Sequence, residues 1–149
     1  MANQNPQPEI YTTRHTFSGS ATQGSSDVQT VYTNQASNEE VRIYGIMADI
    51  SLAGDGSVAR DAESDFDIHI QVGNSNIPSK AFDLGVITQK DDRRLDFPSP
   101  VLAMFNQPIS VKVIYKGGAN ATGNTPAAST VVRVSLISEL SLQTSRGYN

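Results

Sequence analysis

Residues Thr130–Leu142 read TVVRVSLISELSL, and this stretch decides the fold. Val132, Val134, Leu136, Leu140 and Leu142 fall on one side of an extended chain, with Ser138 the only polar interruption. Arg133, Ser135, Glu139 and Ser141 fall on the other. Side chains alternate sides in this way only in a β-strand, so the stretch is a half-buried strand. Strands usually run to ~5–6 residues, and one about twice as long implies a broad sheet facing a second layer.

Other runs repeat the signal. Ile10–Phe17 and Val28–Thr33 suggest the first strands. Asp65–Val72 alternates without exception, with Phe66, Ile68, Ile70 and Val72 inward and Asp65, Asp67, His69 and Gln71 outward. Phe82–Thr88 and Ile109–Tyr115 complete the clear strands, and residues 100–105 read as either a helical turn or a short strand. Val41–Leu52 (VRIYGIMADISL) differs, because Tyr44, Ile46, Ala48, Ile50 and Leu52 load one face while Val41, Ile43 and Met47 load the other. A strand apolar on both faces is either covered twice or placed at a subunit contact. Breaks rich in Gly, Pro and Asn separate the runs, and no segment holds a sustained helical period. Seven or eight strands over this length predict an antiparallel β-sandwich, with jelly-roll topology favoured and an immunoglobulin-like sandwich as the alternative.

The chain of 149 residues is expected to form one sandwich domain over 10–149, preceded by a polar, proline-bearing flexible arm at 1–9. Cysteine is absent, which removes disulfides, thiolate metal sites and cysteine nucleophiles. A net charge of −4 provides no global basic field for nucleic acid. The opening MANQNPQPEI has neither a basic nor an apolar signal region, and no apolar run is long enough for a membrane-spanning helix.

Chemistry-bearing patterns are scarce. Asp49, Asp55, Asp61, Glu63, Asp65 and Asp67 could gather around a cation, but the spacing matches no calcium loop, and a solvated acidic rim is the expectation. His15 and His69 are read as exposed strand residues without a catalytic partner. Asp91-Asp92-Arg93-Arg94 packs four charges into one loop, which suits either a solvated turn or an ordered subunit contact. Lys116–Ser129 is long, small-residued and nearly uncharged, as a projection that orders against a neighbour would be. Tyr11, Tyr32 and Tyr148 are candidate platforms for a sugar, though strand tyrosines more often pack on the sheet.

The arm at 1–9, the long strands at 41–52 and 130–142 and the loops between them together resemble the small jelly-roll structural proteins of viruses and bacteriophages, of the minor capsid or decoration type. That resemblance implies a non-enzymatic particle component acting by self-assembly, located in the virion and made in the host cytoplasm. Its partners would be copies of itself, in a trimer, and other particle proteins. No cofactor, metal or direct nucleic-acid contact is implied. Val41, Ile43, Met47, Arg93 and Arg94 are the expected subunit-contact residues. The alternative is a carbohydrate- or host-surface-binding sandwich module, and a small β-sandwich hydrolase stands last.

Overall fold

The computed structural model describes residues 3–33, 37–52, 65–104, 106–117 and 129–143. Eight strands follow in order: β1 Asn3–Phe17, β2 Ser26–Tyr32, β3 Glu39–Leu52, β4 Phe66–Val72, β5 Ser75–Asp83, β6 Arg94–Ala103, β7 Ile109–Tyr115 and β8 Thr130–Gln143. One short helix, α1 Gly85–Thr88, lies between β5 and β6. The strands form two four-stranded sheets, ordered β1-β8-β3-β6 and β2-β7-β4-β5. All pairings are antiparallel, and β1 with β8, β2 with β7, β3 with β6 and β4 with β5 nest as one long hairpin rolled on itself. This is the jelly roll, not the immunoglobulin-like alternative.

The core is the space between the sheets. Val132, Val134 and Leu136 of β8 face Ile68, Ile70, Val111 and Val113 of the second sheet, all of them buried. The expected inward run of β8 holds as far as Leu140, which packs against the core. Leu142 lies beyond it, 42% exposed. Phe17, Phe66 and Tyr115 stack at the other end, with ring centroids 5.0 and 5.4 Å apart.

Other sequence readings are corrected or settled. Residues 3–9 open β1 and pair with the end of β8, with Gln7 opposite Leu140 and Glu9 opposite Ser138. Phe82–Thr88 is not one strand, because β5 ends at Asp83 and Leu84 leads into α1. Of the two readings of residues 100–105, the strand holds for 100–103, which close β6. The last correction concerns β3. Its register slips between Ile43 and Gly45, so that Tyr44 is an extra residue against β8. A β-bulge reverses the side on which every later residue lies. Val41 and Ile43 therefore share the inner face with Ile46, Ala48 and Ile50, and all five are buried. The strand is apolar on one face only. Gly45 permits this, since a Cβ there would lie 2.9 Å from the Leu95 carbonyl oxygen of β6.

The edges differ from one another. Opposite Tyr44, β6 inserts Phe97, Pro98, Ser99 and Pro100, and opposite His69, β5 inserts Pro78, Ser79, Lys80 and Ala81. Proline and bulges deny a strand edge to strangers. The β5 and β6 edges are thus guarded along one side of the sandwich.

Candidate functional site

The outer face of the first sheet holds the densest set of polar and apolar side chains with functional potential. Register builds it in rows across β1, β8, β3 and β6. Arg14, Arg133 and Asp49 form one row, and Thr12, Ser135, Met47 and Arg94 form the next. Ile10 lies opposite Ile137 in a third, beside the bulge. Pro8, Glu139, Arg42 and Leu102 make a fourth. Exposed apolar side chains are thus interspersed with charge across the face, where Ile10 is 66%, Met47 38% and Leu102 45% exposed.

Local bonds fix the polar rows. The Arg133 guanidinium meets the Asp49 carboxylate at 2.5 Å, and the Thr12 and Ser135 hydroxyls lie 2.9 Å apart. The Tyr44 hydroxyl donates to Glu139 at 3.1 Å, which turns the bulged side chain outward. The loop before β6 is tied down by its backbone: Arg93 N–H donates to Lys90, and Ala48 N–H donates to the Arg93 carbonyl. Arg93 itself has φ +51°, a left-handed conformation rare outside glycine and associated with functional or strained positions. Arg94 turns to Asp96, 2.6 Å away. Two adjoining cavities of about 380 and 370 Å³ open on this face and share Asp49, Arg93 and Arg133.

Of the five expected contact residues, Met47, Arg93 and Arg94 lie here. Val41 and Ile43 do not, because both are 0% exposed in the chain's own core. The outward row Arg14–Arg133–Asp49 was not found from sequence. Its members are far apart along the chain, and only the pairing register joins them.

The acidic residues disperse. Asp49 pairs with Arg133, whereas Asp67 and Asp83 clamp the Lys116 ammonium at 2.8 and 2.9 Å. Burial opposes the Lys116 charge, but hydrogen bonds to the two carboxylates outweigh it and hold the pKa above its ordinary value. Asp65, expected on the solvent face, is 5% exposed, and that burial pushes its carboxyl pKa up. Asp55, Asp61 and Glu63 lie outside the described residues, as do residues 118–128 of the long loop and Tyr148. Among the described residues no three potential ligands gather around a metal position.

Both histidines depart from the expectation of exposure. His15 is fully buried, its Nδ1 2.9 Å from the Asp27 carboxylate and its Nε2 2.8 Å from the Thr13 hydroxyl. The carboxylate can only accept, so Nδ1 carries the proton and Nε2 accepts from Thr13. Hydroxyl, imidazole and carboxylate stand in the order used for nucleophilic catalysis. Yet Thr13 is only 6% exposed, and the order serves to satisfy both nitrogens of a core imidazole. His69 is also buried, and neither of its nitrogens has a hydrogen-bond partner among the described residues. Burial holds both imidazoles below their ordinary pKa; Lys112 adds to this at His69, and Asp27 opposes it at His15.

Tyr11 and Tyr32 stack on each other with centroids 5.4 Å apart, and the Tyr32 hydroxyl donates to Glu39. Burial, with Glu9 and Glu39 nearby, pushes the Tyr11 pKa up to about 12. These rings are packed together rather than offered as open platforms.

Fold and surface define the chain as a jelly-roll β-sandwich. No protein-family profile matches it, and no curated protein matches its sequence. It is similar in fold to a chain of the acid-stable capsid of Helicobacter pylori bacteriophage KHP30, at 14% identity and TM-score 0.37, over 89% of this chain and 93% of that one. Infectious bursal disease virus, Gx strain, has a chain similar at 11% identity and TM-score 0.38, over 94% of this chain and 41% of that one. The insecticidal delta-endotoxin Cry8Ea1 of Bacillus thuringiensis is similar at 16% identity and TM-score 0.33, over 81% of this chain and 19% of that one. Among the described residues no helix is long and apolar enough to cross a membrane.

Proposed function

We propose that this chain is a non-enzymatic structural component of a virus or phage particle, acting through self-assembly and contacts with other particle proteins. One observation supports the reading above the rest. The outer face of the first sheet exposes Ile10, Met47 and Leu102 among charged residues. Exposed apolar side chains set among charges that can orient a partner are what subunit contacts bury. Met47, Arg93 and Arg94 are the contact residues on this reading, and a closed ring, a trimer, is the assembly expected. Specificity comes from many modest contacts across a broad sheet rather than from one deep pocket.

Multi-angle light scattering over a range of protein concentrations tests it. The expected result is a mass of three chains, lost in Met47→Glu and Arg94→Glu variants that melt like the parent. A strict monomer at the highest concentration would overturn the self-assembly reading.

A further inference from the structure

We propose that the cavity bounded by Arg14, Arg93 and Arg133 binds a tetrahedral oxyanion, a phosphate or sulfate group. The sheet register sets two arginines directly against each other, Arg14 of β1 and Arg133 of β8. Like charges facing across a strand pair destabilise it, so the arrangement works against the fold unless something neutralises it. The single carboxylate in the row, Asp49 of β3, is engaged by Arg133 at 2.5 Å. A third guanidinium arrives from Arg93, on a loop whose backbone is held at φ +51° by bonds on both sides.

Neither Arg14 nor Arg93 makes an ion pair among the described residues. The cavity they enclose is about 370 Å³, with Asp49 and Ser51 also in its wall. Three positive groups against one negative leave it an excess of two positive charges. Asp91 and Asp92 line the adjoining cavity and take no part in this wall. Guanidinium groups offer paired N–H donors in a planar fork that matches the oxygens of a phosphate or sulfate, and the Ser51 hydroxyl adds a further donor. A doubly charged tetrahedral anion fits both the charge left over and the number of donors. The inference goes beyond the assembly reading, and since Arg93 belongs to both, light scattering on the same samples separates a lost anion from a lost assembly.

Calorimetric titration of the full chain with sodium phosphate and sodium sulfate tests it, with chloride holding the ionic strength constant. One saturable anion per chain is expected. Arg14→Ala and Arg93→Ala should each weaken binding by about tenfold or more, as loss of a charged hydrogen bond does. Arg93→Lys should weaken it too, since a point charge lacks the fork. A second readout separates binding from structure. Arg14→Ala should melt higher than the parent in chloride, having lost the facing like charge, and should lose the melting shift that phosphate gives the parent. Glycerol phosphate distinguishes the source: tighter binding than inorganic phosphate means the group is carried on a larger molecule, and equal binding means the free anion is the ligand. No saturable heat above the chloride background would overturn the proposal, as would binding unchanged in both alanine variants.

Discussion

Acidification should weaken this protein in part through the buried imidazole of His15, and replacing that residue should remove its share of the effect. His15 is fully buried between Thr13 and Asp27 and stays neutral in the fold, because burial holds its pKa below the ordinary value of 6.5. The unfolded chain takes up a proton near that ordinary value while the folded chain refuses it. Stability is therefore complete above pH 6.5 and falls as pH drops toward the folded pKa. One proton bound only by the unfolded state gives a limiting slope of about 1.4 kcal/mol per pH unit. Glutamine at position 15 can donate to Asp27 and accept from Thr13 but cannot titrate. Urea unfolding of parent and His15→Gln from pH 8 to pH 5 isolates the term. His69 and Asp65 are present in both proteins, so their contributions cancel in the difference. The gap between the two curves should change with pH below 6.5 and be flat above it. Parallel curves throughout would refute the reasoning.

Two other outcomes follow from packing. Gly45→Ala places a Cβ 2.9 Å from the Leu95 carbonyl oxygen, a backbone atom that cannot swing aside, and should cost about 1–3 kcal/mol by denaturant melt. The hydroxyl of Tyr115 is buried with no hydrogen-bond partner among the described residues, so Tyr115→Phe should keep the ring stack and raise stability by about 1 kcal/mol.

The strands whose alternation is unbroken were legible in the chain itself. Phe66–Val72 reads inward and outward as it folds, with the single exception that outward His69 is covered. Val132–Leu136 reads correctly as well, because nothing interrupts its pairing on either side. β3 was misread because periodicity carries no mark of an inserted residue. Tyr44 shifts the phase by one, and a two-faced strand on paper becomes a one-faced strand in the sheet. The lone glycine beside it was the available signal, since glycine inside a strand marks a bulge or a close approach. β1 was cut short for another reason. Its first residues are polar and gain a strand conformation from β8, not from their own pattern. The arginine cavity was illegible, being made by neighbours that are distant in sequence.

The nested pairing also sets a schedule. β1 is synthesised first, and its hydrogen-bonding partner β8 is the last strand to be made. β3 waits too, since it lies between β8 and β6. β4 and β5, joined at Gly73–Asn74, pair with an immediate neighbour in the chain and so wait least. Pairings between distant segments form slowly, and strands that wait are open to wrong partners. A nascent chain halted before Thr130 is therefore no smaller sandwich. Its first sheet lacks the strand between β1 and β3, which leaves β1 without a neighbour and β3 with β6 alone.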